Sequence, residues 1–287
     1  MKKSIVFLLG CLLSAWVLDA HPGIGIVMDN EGNVFYTDLV HVWKISPEGE
    51  QTIAVRNVHT HELYLDANGD LYGEHEWYEG EATDKWGNYV WCLSKDGAFE
   101  KVIPDVEGFL DNTTLVRDPD GNTYWAKKSG NGEILMKQMP DETNITASSH
   151  EFKDIRWMHV SKYDNNLYVV DHLTLKKVSP SGVVEIVASE LKEDGLRFSR
   201  VDDRHYVFGV WTDSTSDVYV ALYGAGKVIK INSNGEKSTV FESDRGWSPC
   251  GGMIAADGTM WIMEFSRRNK TRVTKVVPND ENIVYGD

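Results

Sequence analysis

Cysteine is scarce: three residues in 287, one of them inside an apolar N-terminal run. Cys92 and Cys250 are too few for a disulfide-built scaffold, so a hydrophobic core must supply the stability. Basic residues are outnumbered, with 29 Lys and Arg against 44 Asp and Glu and a formal charge of −15. Nucleic acid and anionic membranes are thereby excluded as expected partners, because both select basic surfaces. The sequence contains no phosphate-binding glycine loop, no nucleophile elbow and no Cys-x-x-Cys pair. Nucleotide, thioester and redox-dithiol chemistry are therefore poor expectations.

Long apolar runs are also lacking, with one exception. Lys2 and Lys3 precede an apolar stretch from Ile5 to Leu18 that ends at Asp19-Ala20. A charged start, an apolar middle and a small residue at the end read as a signal peptide over residues 1–20, with export to the periplasm or medium. The stretch is too short for a good membrane span. Cleavage after Ala20 is expected, with Ala15 the alternative. Cys11 in Leu8-Leu9-Gly10-Cys11 has a weaker likeness to a lipoprotein site.

What the sequence does contain is repetition. Asp29-Asn30-Glu31-Gly32-Asn33-Val34-Phe35 returns as Asp66-Ala67-Asn68-Gly69-Asp70-Leu71-Tyr72 and as Asp118-Pro119-Asp120-Gly121-Asn122-Thr123-Tyr124. Weaker copies end at Tyr168, Tyr219 and Trp261. A second turn follows each copy, as in Lys44-Ile45-Ser46-Pro47-Glu48-Gly49 and Lys177-Val178-Ser179-Pro180-Ser181-Gly182. Asp, Asn, Pro and Gly supply what tight turns need. Two hairpins recurring at about 45 residues are the mark of a propeller blade. The sequence therefore predicts an all-β fold, a six-bladed β-propeller with four antiparallel strands per blade, over residues 21–287. Blade one starts with its own inner strand near Gly23–Met28, and blade six ends with its own outer strand near Ile283–Tyr285. Ring closure by side-chain packing, without strand exchange, follows from that register.

The stretch Asp29 to Asp38, followed by Lys44 to Gly49, resembles the propeller superfamily of NHL-repeat proteins and SMP-30/gluconolactonase-type lactonases. Strictosidine-synthase-like proteins and the peptidyl-hydroxyglycine lyase domain belong to the same group. The resemblance spans the mature chain and implies the fold more strongly than any reaction. Gluconolactonase-type enzymes carry an early glutamate as a calcium ligand. Here that stretch reads His21-Pro22-Gly23-Ile24-Gly25. The lyase domain holds zinc with histidines at inner-strand starts. His61 and His159 fit that pattern loosely, and Cys250 stands where a third histidine is expected.

In such a blade, inner-strand starts and second-strand ends share one face. His21, His59, His61, His159 and His205 are placed near starts, and His41, His75 and His172 after second strands. Carboxylates accompany them: Glu62, Asp111, Asp38, Glu74, Glu76, Asp171 and Glu264. Imidazole with carboxylate suits Zn or Mn, and oxygen-rich sets suit Ca, so a divalent metal is the expected cofactor. The candidate metal ligands are His61, His159, Glu62 and Cys250. The candidate catalytic groups are His59, Glu74 and His75, as acids or bases.

Blade two carries an insertion between Glu74 and Asn88, and long loops of this kind are often functional. Trp77, Tyr78 and Trp86 are candidates to stack on a substrate ring. Arg204 and His205, with Arg156 and Arg200 nearby, are candidates to bind a substrate carboxylate. Two functions remain open at this point. One is a metal-assisted hydrolase or lyase acting on a small-molecule, sugar- or lactone-like substrate. The other is a non-catalytic propeller that binds a glycan, peptide or protein.

Overall fold

The computed structural model describes residues 22–108, 115–194, 198, 201–277 and 281–286. The expected signal peptide, His21, Asp111 and Arg200 lie outside these residues. The chain forms six antiparallel sheets arranged as a propeller. Blade one holds β1 (Ile26–Met28), β2 (Val34–Thr37), β3 (His41–Ile45) and β4 (Gln51–Arg56). Blade two holds β5 (Leu63–Leu65), β6 (Leu71–Tyr78), β7 (Trp86–Leu93) and β8 (Phe99–Glu107). Blade three holds β9 (Thr123–Ser129), β10 (Gly132–Gln138) and β11 (Asn144–Thr146). Blade four runs through β12 (Ile155–Val160), β13 (Leu167–Asp171), β14 (Thr174–Val178) and β15 (Val184–Ala188). Blade five runs through β16 (Val210–Thr212), β17 (Val218–Leu222), β18 (Lys227–Ile231) and β19 (Lys237–Glu242). Blade six closes the ring with β20 (Trp247–Ile254), β21 (Met260–Ser266), β22 (Thr271–Val276) and β23 (Ile283–Gly286).

Five blades have four strands in sequence order. In blade three the inner position is marked by a single bridge, Arg117 to Thr123. Among the described residues blade six pairs only with itself, from β20 to β23. The ring therefore closes by packing. Ile26, Val34 and Ile45 of blade one share a buried cluster with Met260, Ile262 and Val273 of blade six.

The recurring residues each have a physical task. The Asp29 carboxylate accepts the backbone N–H of Glu31 and of Asn33, both at 2.9 Å. Gly32 completes that turn at φ 84°, a left-handed conformation that a side chain strains. The aromatic residue that follows staples the turn to the sheet in three blades. Tyr124, Tyr168 and Tyr219 donate their hydroxyls to Asp118, Asp164 and Asp213 at 2.8, 2.8 and 2.9 Å. The apolar partners then pack between neighbouring blades. Blades one and two share Phe35, Val42, Leu71 and Trp91, and blades four and five share Val170, Leu175, Val220 and Ile229. Burial of each such side chain contributes about 1.5–3 kcal/mol, which replaces the missing disulfides. Cys92 and Cys250 are both buried and unbridged.

Candidate metal centre at blade two

Strand β6 has eight residues where its partner β5 has three, so it overruns the inner strand at one end. The chain before β5, residues 59–62, lies outside the β5 ladder; one backbone bond, Glu76 N–H to the His59 carbonyl at 3.0 Å, ties it to β6, and β6 side chains supply the rest. The backbone N–H of His59 donates to Nδ1 of His75 at 2.8 Å. The N–H groups of His61 and Glu62 both donate to Oε1 of Glu74, the latter at 3.1 Å. Fully buried Thr60 fixes the segment from both sides. Its hydroxyl donates to the Glu74 carbonyl at 2.6 Å, and its carbonyl accepts the Thr37 hydroxyl at 2.7 Å. Buried backbone groups require partners, and these bonds supply them.

Period-two alternation places Glu74 and Glu76 on one face of β6. Both meet His61, whose Nδ1 lies 3.6 Å from Glu74 Oε1 and 4.0 Å from Glu76 Oε2. The His59 and His61 rings meet edge to face at 4.7 Å. His59, His61 and Glu76 each offer one ligand atom, and these atoms lie within 4.8 Å of one another. Among the described residues this is the one such group of three. Two imidazoles and a carboxylate fit a zinc- or manganese-like ion and leave coordination positions open. Glu74 Oε2 is buried and has no hydrogen-bond partner beside this group.

The electrostatics divide the histidines. Burial opposes charge on His61, but Glu74, Glu76 and Glu62 outweigh it and raise its pKa. Burial and the neighbouring His61 lower the pKa of His59. Burial and Lys101 do the same for His75, whose ring lies 4.8 Å from that of Tyr89. Burial, with Glu74 nearby, pushes Glu62 up to about 7. Glu62 lines a central cavity of about 980 Å³. Asp29, Asp118 and Asp257 also line it, so the cavity extends toward the acidic-turn face, away from His59 and His61.

Not every expected site residue joins this group. His159 was expected near an inner-strand start, but β12 begins four residues earlier, at Ile155, and places it near the opposite end. It pairs with Tyr168, and its Nε2 lies 3.3 Å from the Thr212 hydroxyl, the last residue of β16. Burial lowers its pKa to about 4, so it is a neutral channel histidine. Cys250 is fully buried in a bulge of β20, and its thiol donates to the Met263 carbonyl at 3.4 Å. Neither residue comes to His61. Glu62 acts on His61 electrostatically but is not part of the group of converging ligand atoms. Glu76 offers the third candidate ligand atom of the group instead. The alternation of carboxylates at 74 and 76 was the signal for it.

The insertion is a hairpin. Strand β7 begins at Trp86, directly opposite Tyr78, and only residues 79–85 form the turn. Tyr78 and Trp86 stand on one face of the tip, 56% and 38% exposed. Trp77 lies on the other face, over Gly87, where a Cβ would meet its ring at 2.4 Å. The three aromatic residues therefore do not form one wall. Arg204 and His205 sit on a short 3-10 turn, with Arg204 near Asp154 at 3.4 Å and His205 on Asp202 at 2.8 Å. Asp171 and Glu264 are committed to ion pairs with Lys176 at 2.6 Å and Arg272 at 2.8 Å.

No family model matches the chain, and no curated protein matches it. Solved structures do share its fold. A gluconolactonase of Xanthomonas campestris is 13% identical with a TM-score of 0.57, over 85% of this chain and 83% of its own. The calcium-binding protein regucalcin of Agrobacterium tumefaciens is 12% identical with a TM-score of 0.55, over 86% and 82%. A virginiamycin B lyase of Staphylococcus aureus, with quinupristin, is 15% identical with a TM-score of 0.52, over 93% and 84%. These likenesses establish the six-bladed propeller, the fold class shared by lactonase-like and lyase-like proteins.

Proposed function

We propose that this protein is an exported, metal-assisted hydrolase or lyase that acts on a small polar, sugar- or lactone-like substrate. The single observation that carries this reading is the convergence of His59, His61 and Glu76, whose ligand atoms lie within 4.8 Å of one another. The solved structures it resembles in fold include a gluconolactonase and a lyase, which makes small-molecule chemistry the natural class. Export rests on the N-terminal pattern from Lys2 to Ala20.

In this reading His59, His61 and Glu76 hold a divalent ion of the zinc or manganese kind. When bound, such an ion polarises a substrate carbonyl or lowers the pKa of a water. Glu74 holds the loop: its Oε1 fixes the backbone of His61 and Glu62 and so sets where the His61 ring points. His75 holds the backbone of His59 in the same way. Burial and Glu74 raise the pKa of Glu62 in the metal-free protein, and a cation held by the adjacent His61 would lower it again. Tyr78 and Trp86 offer exposed rings to a substrate at the hairpin tip.

Metal analysis of protein purified without chelator, paired with assays on a panel of lactones and glycosides before and after dialysis against EDTA, tests the reading. Stoichiometric zinc or manganese and chelator-sensitive turnover are expected. Absence of metal, together with turnover or ligand binding that EDTA leaves intact, would overturn it. The second reading, a non-catalytic binding propeller, is favoured by the cavity of about 980 Å³, a size that accommodates a small ligand without any chemistry.

A further inference from the structure

Strand β12 pairs Ile155 with Asp171 and Trp157 with Val170, which leaves Arg156 as the extra residue of a β-bulge. A bulge re-aims its side chain, and bulges gather beside functional sites. Here the re-aimed side chain is a partly buried guanidinium at the start of an inner strand, the end of the blade on which His59 and His61 also lie.

The Arg156 side chain makes no hydrogen bond or ion pair to any described residue, and its Nε is buried without an acceptor. In a chain of net charge −15 an arginine with no acidic partner among the described residues is out of keeping with its surroundings. Arg272, by contrast, is paired with both Glu264 and Asp244. The carboxylates around Arg156 are already engaged. Glu133 binds Lys128 at 2.6 Å and also accepts the Ile155 N–H. Asp154 faces Arg204, and Asp202 binds His205. Burial and the like charge of Arg204 lower the Arg156 pKa, and Asp154, Glu133 and Asp202 offset them only in part. Burying an unpaired charge beside another of the same sign costs stability, so the arrangement is uneconomical unless an anion completes it.

We infer that Arg156, flanked by Arg204, is an anion-binding subsite that takes the carboxylate of a small substrate. This inference deepens the proposed function, resting on that reading for the site the substrate occupies. A planar guanidinium donates two parallel N–H···O bonds to a carboxylate. A monoanion suits the position better than a dianion, because Glu62, Glu74, Glu76 and Asp154 lie on or near the same face.

The test is calorimetric titration of metal-free protein with glucuronate, with glucose as the same ring lacking the carboxylate, and with inorganic phosphate. Because no metal is present, failure of the metal reading does not affect the outcome. Glucuronate is expected to bind roughly tenfold or more tightly than glucose, the scale of one charge-assisted contact. Arg156→Gln is expected to abolish that preference without lowering the melting temperature, since it removes an unpaired charge. Equal or undetectable binding of the two sugars, a preference that survives Arg156→Gln, or a melting temperature that falls in that variant would each overturn the assignment. Phosphate binding tighter than glucuronate would overturn the carboxylate class in favour of a phosphoryl ligand.

Discussion

Glu74 on β6 receives the backbone N–H of Glu62 at 3.1 Å through the same oxygen that lies 3.6 Å from Nδ1 of His61. One carboxylate therefore both holds the segment before β5 and faces the candidate metal group. Glu74→Ala is expected to lower stability by about 1–3 kcal/mol, the cost of leaving buried N–H groups unsatisfied. It is also expected to weaken zinc binding about 10–100-fold, as lost supporting contacts do. Chemical denaturation and zinc titration of the same variant check the two effects.

The ligand set itself is separable by substitution. His59→Ala, His61→Ala and Glu76→Gln are each expected to remove most bound metal. His159→Ala and Cys250→Ser are expected to leave the stoichiometry unchanged. Elemental analysis of the five variants decides between this set and one that includes His159.

Gly73 has a strict packing role. A Cβ at this position would stand 2.1 Å from the ring of Trp91, which is fully buried. The Trp91 indole N–H also donates to the Glu74 carbonyl at 3.1 Å. Gly73→Ala is expected to cost about 1–3 kcal/mol through overpacking and to disturb the metal group with it. Urea unfolding and metal content should fall together.

The hairpin aromatics should behave in opposite ways. Trp86→Ala is expected to change stability little and to weaken substrate binding. Trp77→Ala removes packing over Gly87 and is expected to lower the melting temperature. Thermal unfolding of the two variants makes the distinction.

Acid stability follows from the turn aspartates. Burial alone raises the pKa values of Asp118, Asp164 and Asp213, but hydrogen bonds from Asn122, Asn166 and Thr215 and from the tyrosines outweigh it and lower all three. A carboxylate with a lowered folded-state pKa contributes its stability above the ordinary aspartate value of 3.8, and loses it as pH falls through the folded value. Asp213→Asn is therefore expected to destabilise the protein near neutral pH and to flatten the loss of stability below pH 3.8. Melting temperatures across that range test the slope.

The sequence by itself determined the blades. The Asp, Gly and aromatic residues of each repeat act within a few positions of one another, so their turns and staples are local chemistry and legible without a structure. The same is true of ring closure by packing, which follows from where the first inner and last outer strands fall. The site was legible only where local alternation governs it. Glu74 and Glu76 share a face of β6 because side chains alternate, and His59 and His61 lie beside them because β6 outruns β5. Where β12 begins and bulges was a tertiary matter. An early start sends His159 to the far end of the channel, and one extra residue leaves Arg156 unpaired. Such register is set by packing between blades that are distant in the chain, and no local pattern of residues carries it.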